Sequence, residues 1–243
     1  MKFVIKKVSE VEAIRRRLPT VVEIEGELED SDFRVFLSKQ AREKIFLVGS
    51  YNLGQNLLMR ENERGGVLLG NLYYDTVDGR RITYTAVTDI VPAEEAEAGY
   101  THVEFDGQVL SAVMEEAQNY IRQTGENLRI VGWYHTHPGF GVFMSGTDQQ
   151  TQRQIYGTDW HVAIVFDPIR RDYGIFYGRD STPCRGWYIF DMLAEGFAPP
   201  LVLRLRFDQY EGYSRKADED FIKLKQTLLE EFHEMFDPIK DAF

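Results

Sequence analysis

The feature that most constrains the fold is a pair of long apolar segments joined by a tight turn. Residues 65–74 have the sequence GGVLLGNLYY and residues 82–91 have the sequence ITYTAVTDIV. Both are rich in the β-branched and aromatic residues that favour strands. Asp78-Gly79 lies between them, and this dipeptide is typical of a two-residue hairpin turn. The sequence therefore predicts an antiparallel hairpin here.

The rest of the chain alternates between strand-like and helix-like patterns. Residues 1–19 are basic and partly helical in pattern. Strands are predicted at residues 21–28, 33–37, 100–105, 128–134, 160–166, 173–177 and 187–190, and helices at 38–59, 110–124 and 148–156. Ser38 is a suitable N-cap for the first of these helices. Helices interspersed with strands predict an α/β (α+β) domain, with helices packed on a curved, mostly antiparallel sheet.

The composition restricts the class of protein. The chain has 243 residues and a formal net charge of −11, which argues against nucleic-acid binding because that usually needs a basic face. No apolar run approaches the roughly 20 residues of a membrane-spanning helix. We therefore expect a cytoplasmic protein with no membrane partner. The single cysteine, Cys184, excludes an intramolecular disulfide and a zinc site built from several thiolates.

The segment with the most chemical information covers residues 131–152, VGWYHTHPGFGVFMSGTDQQTQ. His135 and His137 are two residues apart, so on a strand their side chains point to the same face. Asp148 follows a glycine-rich loop, at the predicted start of a helix. Two neutral imidazoles and one carboxylate suit Zn²⁺, and three protein ligands leave a fourth position for water, as in catalytic zinc sites.

Each of these residues also has a simpler interpretation. A single His-x-His pattern in a strand is more often accidental than metal-binding. Ser145-Gly146-Thr147-Asp148 fits a helix-capping pattern, in which Ser145 is the N-cap and Asp148 is a first-turn acid favoured by the helix dipole. The local pattern leaves both interpretations open.

The joint pattern resembles the signature of the JAMM (MPN-plus, JAB1/Mov34) metalloproteases. His135-Thr136-His137-Pro138, Ser145 and Asp148 have the spacing of that signature. The family also has an upstream glutamate three residues before a glycine that opens an apolar strand, and Glu63 fits this position where Glu61 does not. The resemblance covers roughly residues 33–190. The segment looks very similar to the proteasome-lid and signalosome members that cleave ubiquitin-like modifiers from their targets.

The resemblance implies an MPN/JAMM, cytidine-deaminase-like fold and a mechanism. His135, His137 and Asp148 would bind one Zn²⁺ per chain, and Glu63 would act as general acid and base. Ser145 would donate a hydrogen bond to the oxyanion of the reaction. The expected activity is that of a zinc-dependent isopeptidase or peptidase that removes or processes a ubiquitin-like protein at its C-terminal tail. The alternatives are a catalytically silent MPN scaffold that binds partner proteins, and a zinc peptidase that processes sulfur-carrier or unrelated proteins.

The expected domain organisation has three parts. Residues 1–32 form an N-terminal extension, residues 33–194 the JAMM/MPN metalloprotease domain and residues 195–243 a C-terminal extension. Within the last part, residues 215–236 have the spacing of an amphipathic helix, which would dock on its own domain or bind a partner. Residues 92–107 occupy the place of a substrate-contacting insertion in the family. The metal is expected at the end of the strand predicted at 128–134, at the edge of the sheet.

Overall fold

The computed structural model describes residues 11–50, 63–93, 107–124 and 127–192. The chain divides into two compact units, Met1–Pro199 and Pro200–Phe243, and all described residues belong to the first. The strand predicted at 100–105 and the amphipathic helix predicted at 215–236 lie outside the described residues. Among the described helices, none is long and apolar enough to cross a membrane.

The described part of the first unit contains ten strands and three helices. The strands are β1 (Ile14–Arg15), β2 (Val21–Gly26), β3 (Phe33–Ser38), β4 (Gly65–Val77), β5 (Arg80–Pro92), β6 (Arg129–Thr136), β7 (Val162–Asp167), β8 (Asp172–Tyr177), β9 (Thr182–Cys184) and β10 (Gly186–Phe190). The helices are α1 (Lys39–Ser50), α2 (Gly107–Thr124) and α3 (Gly146–Ile155).

All the described strands belong to one mixed sheet. Its order is β2-β10-β3-β5-β4-β6-β7-β8-β9, and β1 pairs with β4 off this path. Five of the nine pairings are antiparallel and four are parallel. The predicted α/β class, with helices flanking a sheet, is confirmed.

The predicted hairpin is confirmed and is longer than the apolar segments suggested. β4 and β5 pair in antiparallel register from Gly66 opposite Pro92 to Val77 opposite Arg80. Asp78 and Gly79 have φ angles of 52° and 80°. Positive φ at both central residues is what a type I′ turn requires, which explains why Asp-Gly occupies this position.

The helices pack on the two faces of the sheet at β6. Ser38 caps α1: its Oγ accepts a hydrogen bond from Ala41 N at 3.0 Å, so the predicted cap is confirmed. On one face, the Phe46 ring of α1 stacks on Phe166 of β7. On the other face, Met114 of α2 packs against the cluster that contains Trp133 of β6. Side chains alternate between the two faces of a strand, and helices cover both faces here, so β6 is buried on both sides.

The N-terminal segment departs from its prediction. Residues 11–19 are not helical, and β1 extends the sheet beside β4 instead. Leu18 N donates to Asp75 Oδ2 at 3.0 Å and Tyr84 Oη donates to Arg17 O at 2.9 Å. Side-chain acceptors and donors of the hairpin thus hold this segment in an extended conformation. The partly helical pattern was misleading because these tertiary contacts override local propensity.

Strand β2 was predicted, but its alternation does not bury the apolar residues. Val22 and Ile24 are exposed, at 46% and 52%, whereas the Glu25 side chain is mostly buried. The short strand β9 was not predicted.

Candidate active site

The end of β6 brings the two histidines together. His135 is the penultimate residue of the strand and His137 directly follows it. The His137 N–H donates to Phe166 O at 2.8 Å, which continues the pairing with β7 beyond the end of β6. The two Nε2 atoms lie 3.1 Å apart. β6 lies between β4 and β7, so this site is at the end of an interior strand and not at the edge of the sheet as expected.

The N-terminus of α3 supplies the third group. Ser145 Oγ accepts a hydrogen bond from Asp148 N at 3.2 Å, and Ser145 N donates to Asp148 Oδ2 at 2.7 Å. This is a complete capping box, so the simpler interpretation of Ser145 is correct as a description of the helix end. The same Oδ2 atom lies 3.4 Å from His135 Nε2 and 3.5 Å from His137 Nε2. The capping bond therefore also holds the carboxylate against the histidines.

The three side chains have the spacing of a zinc site. Ligands about 2.0–2.1 Å from a tetrahedral zinc ion are separated from one another by about 3.3–3.4 Å. The three observed separations between Nε2, Nε2 and Oδ2 are 3.1, 3.4 and 3.5 Å. In the described part of the chain, His135, His137 and Asp148 form the cluster whose ligand atoms could hold a metal ion. The donor set fits Zn²⁺, and the assignment of these residues as ligands remains a prediction.

Glu63 lies beside this cluster. Its Oε1 is 3.8 Å from His137 Nε2, and its side chain is only 10% exposed. Glu63 precedes β4, whose first residue, Gly65, pairs with His135. The register of the β4–β6 ladder thus places Glu63 beside the histidines. Glu61 lies outside the described residues, so the choice of Glu63 over Glu61 remains a prediction.

The electrostatics of the cluster favour a cation. Burial alone would raise the pKa of Asp148, but hydrogen bonds to His135, His137 and Ser145 outweigh burial and lower the pKa of Asp148 far below its usual value. Burial alone would lower the pKa of His137, but Asp148 and Glu63 raise it. The pKa shifts of Asp148 and His137 therefore both favour the charged form of the side chain. The carboxylates thus attract positive charge to the centre of the cluster.

A glutamine on α3 supports this arrangement. The Trp133 ring stacks on His135, with centroids 4.5 Å apart and an interplanar angle of 14°. Trp133 Nε1 donates to Gln152 Oε1 at 2.7 Å, and Gln152 Nε2 donates to Gly178 O at 3.1 Å. Gln152 is fully buried and ties α3 to β6 and to the end of β8. No sequence pattern indicated this role, although the position of Gln152 four residues after Asp148 places it on the same face of α3.

A buried aspartate fixes the loop between His137 and Ser145. Asp167 accepts backbone hydrogen bonds from Gly139 N at 2.9 Å and from Gly141 N at 2.7 Å. These glycines have φ angles of 84° and 90°, a conformation that other residues rarely adopt. No sequence pattern indicated this role of Asp167, because its partners are main-chain groups.

The remaining titratable candidates lie outside the cluster. His161 was not assigned to the site, and its Nδ1 lies 2.7 Å from Thr158 Oγ1. Burial lowers the pKa of His161 to about 4. Burial raises the pKa of Cys184 to about 11, which favours the unreactive thiol.

The comparisons with known proteins agree with the motif. The pattern of the JAB1/Mov34/MPN/PAD-1 ubiquitin protease family matches residues 38–158, which include all five predicted site residues. The 26S proteasome regulatory subunit RPN11 of Eremothecium gossypii is 35% identical over 118 residues, covering 47% of this chain and 36% of the relative. The COP9 signalosome complex subunit 5 of Candida glabrata is 28% identical over 209 residues, covering 80% of this chain and 42% of the relative.

A third relative has a name that specifies an activity. The Lys-63-specific deubiquitinase BRCC36 of Pongo abelii is 29% identical over 150 residues, covering 54% of this chain and 61% of the relative. The matched segments thus span between 36% and 61% of the lengths of these three relatives. Together with the family match and the fold, these similarities show that the chain belongs to the JAB1/Mov34/MPN/PAD-1 family.

Proposed function

We propose that this chain is a zinc-dependent isopeptidase or peptidase that removes or processes a ubiquitin-like protein at its C-terminal tail. The observation that carries the proposal is the near-tetrahedral spacing of the ligand atoms of His135, His137 and Asp148, with the Glu63 carboxylate beside them. The family match supports the reaction class. The substrate class is supported by a deubiquitinase among the relatives.

In this proposal His135, His137 and Asp148 hold one Zn²⁺. The ion would supply a Lewis acid that polarises the scissile carbonyl and makes a water molecule more acidic. Glu63 takes a proton from the attacking water and delivers it to the leaving amine. Its Oε1, 3.8 Å from His137 Nε2, lies close enough to the ligand atoms for this transfer.

Ser145 stabilises the oxyanion in this proposal. In the capping bond its Oγ accepts from Asp148 N, and a hydroxyl that accepts one bond can still donate its hydrogen. A donor aimed at developing negative charge lowers the barrier of acyl transfer. The helix cap and the catalytic role of Ser145 are therefore compatible.

The proposed partners are a ubiquitin-like protein or its conjugates, in the cytoplasm. Glycines at the end of such a tail allow it to enter a narrow cleft in an extended conformation. Two exposed aromatic residues, Phe140 and Phe143, lie on the loop between His137 and Ser145, and the Phe143 ring is 4.7 Å from the His137 ring. This loop gives the approach to the site an apolar border.

The proposal is tested by Glu63→Gln beside Glu61→Gln. Both variants are loaded with zinc and incubated with a panel of ubiquitin-like fusions, with cleavage followed in single turnovers by mass spectrometry. Glu63→Gln keeps its size but cannot accept the proton, so it should retain zinc and lose about 10²–10⁴-fold in kcat. Glu61→Gln should behave nearly like the wild type.

Each other outcome points to a different function. A zinc-loaded wild type that binds fusions but cleaves none would identify a scaffold. Cleavage that does not depend on a ubiquitin-like fold would identify a peptidase of unrelated proteins. Full activity of Glu63→Gln would refute the assigned acid–base mechanism.

A further inference from the structure

A side chain of β6 is hydrogen-bonded to the main chain beside Glu63. Thr136 lies between His135 and His137, and alternation along the strand places its side chain on the opposite face. There its Oγ1 accepts a hydrogen bond from Arg64 N at 2.8 Å. The Thr136 N–H donates to Arg64 O at 2.7 Å. Thr136 is 1% exposed, so water does not compete for these bonds.

The hydroxyl of Thr136 takes the place of a main-chain acceptor. In an antiparallel ladder, two directly opposed residues of a hydrogen-bonded pair exchange two main-chain hydrogen bonds. Thr136 and Arg64 are opposed one step beyond the pair formed by Gly65 and His135. The Arg64 N–H is bound by the Thr136 hydroxyl, where a regular ladder would use the carbonyl. The chain is thereby fixed one residue from Glu63 by a bond that depends on the side chain at position 136.

We propose that Thr136 is a positioning residue for Glu63, acting through the backbone of Arg64. This inference rests on the proposed acid–base role of Glu63. The Glu63 carboxylate lies 3.8 Å from His137 Nε2, so a shift of the neighbouring main chain changes its distance to the ligand atoms directly. A misplacement of about 1 Å can lower a rate by about 10²-fold. The effect belongs to kcat, since it concerns a group that acts in the chemical step.

The side chain of Thr136 has a second contact that must be separated from this one. A Cβ atom built on Gly49 of α1 would lie 3.0 Å from Thr136 Cγ2, so the methyl group packs closely on that helix. Valine keeps the branched shape but removes the acceptor, which leaves the Arg64 N–H without its partner. Serine keeps the hydroxyl but removes the methyl. The pair Thr136→Val and Thr136→Ser therefore separates the hydrogen bond from the packing.

The first experiment measures zinc content, kcat and KM for both variants. Thr136→Val should retain its zinc and a near-normal KM but lose about 10²-fold in kcat. Thr136→Ser should recover kcat to within about threefold of the wild type. A normal kcat in Thr136→Val would overturn the inference. Equal impairment of the two variants would assign the effect to the methyl group, and zinc loss in Thr136→Val would assign it to the neighbouring ligands.

The second experiment asks whether Thr136 acts through Glu63. In a Glu63→Gln background, Thr136→Val should change kcat by less than about twofold, because a residue that only positions Glu63 has nothing left to position. A further loss of about 10²-fold would show an independent role and overturn the inference.

A third measurement separates this inference from the proposed function. Hydrogen exchange of the Arg64 amide should be faster in Thr136→Val than in the wild type and unchanged in Thr136→Ser, whatever the activity. Unchanged exchange in Thr136→Val refutes the positioning role alone. A wild type that cleaves nothing, or a fully active Glu63→Gln variant, refutes the proposed function. The exchange rate of the Arg64 amide then still tests whether Thr136 holds the main chain at Arg64.

Discussion

Two largely buried clusters of polar and charged groups in this structure differ in how their charges are balanced. One is the site cluster, formed by Glu63, His135, His137 and Asp148. The other, the Arg42 cluster, is formed by Glu23, Glu25, Arg42, Tyr173 and Trp187. Both connect segments that are distant in sequence, and both lie against the same sheet.

The carboxylates of the Arg42 cluster have their opposite charge within the chain. The buried guanidinium of Arg42 contacts Glu25 and lies 3.0 Å from Glu23. Tyr173 donates to Glu25, and Trp187 Nε1 donates to the same carboxylate at 2.9 Å. Burial and the neighbouring Glu25 raise the pKa of Tyr173, which keeps its hydroxyl protonated and able to donate. Each carboxylate thus faces donors that the chain itself supplies.

The site cluster lacks such a balance. Its two Nε2 atoms and Asp148 Oδ2 converge at 3.1–3.5 Å from one another. Imidazoles that carry their hydrogen on Nδ1 direct both Nε2 lone pairs at the shared centre. In that tautomeric state a cation at the centre satisfies all three atoms. Potential metal-ligand atoms that converge without an internal cation thus indicate a ligand, whereas carboxylates paired with a buried guanidinium indicate a structural role.

The largest effect expected from this difference is on metal binding. His137→Ala removes one of three converging ligand atoms, so zinc content should fall from near one ion per chain to near zero, and hydrolysis with it. Metal analysis of purified protein gives the measurement. His161→Asn is the matched control, because His161 is also a buried histidine but lies outside the cluster, and this variant should keep its zinc. Full zinc retention in His137→Ala would contradict the assigned ligand set.

The next effect is on stability and concerns the other cluster. Arg42→Met removes the internal cation and leaves Glu25 buried, which should lower the free energy of unfolding by about 3–5 kcal/mol. Urea denaturation followed by tryptophan fluorescence measures this loss, and zinc content per folded chain should not change. Glu23→Gln is the control, since the Glu23 side chain is 43% exposed. That change should cost less than about 1 kcal/mol. An Arg42→Met variant with an unchanged free energy of unfolding would show that the Arg42 cluster does not stabilise the fold.

The sequence revealed the site cluster far better than the Arg42 cluster. His135 and His137 share a strand face by period two, and Ser145 and Asp148 form a local cap, so short spacings carry most of the geometry. Glu63 is separated from these residues, and only the resemblance to a family indicated its place.

The Arg42 cluster left no comparable signal. Glu25 and Tyr173 are 148 positions apart, and Arg42 and Glu25 are 17 apart. The alternation of apolar and acidic residues in β2 is typical of a half-buried strand with its acids in solvent, but Glu25 is mostly buried against Arg42. Charge pairing between elements depends on sheet order, and the parallel pairings of β3 with β5 and β10 could not be read from local patterns.

The role of Thr136 was hidden for a different reason. It stands inside the recognised motif, but it points away from the two histidines, and its partner is the main chain of Arg64. Side chains that bind main-chain groups have no partner residue type for a sequence pattern to reveal. Gln152 and Asp167 support the site in the same way, through carbonyl and amide groups.

The smallest predicted effect uses His161, a buried histidine whose contacts include Thr158, Trp160 and Tyr156. Burial lowers its pKa to about 4 from 6.5, the opposite direction to the shift at His137. Below pH 6.5 the unfolded chain therefore binds a proton that the folded chain excludes until about pH 4, so stability falls as the pH falls through this window. Between pH 6.5 and about pH 4.5, zinc-free wild type should lose about 2 kcal/mol more than His161→Asn, measured by urea denaturation. If the free energy of unfolding falls equally with pH in the two proteins, His161 is protonated in the folded state. Burial alone would then not distinguish it from the site histidines.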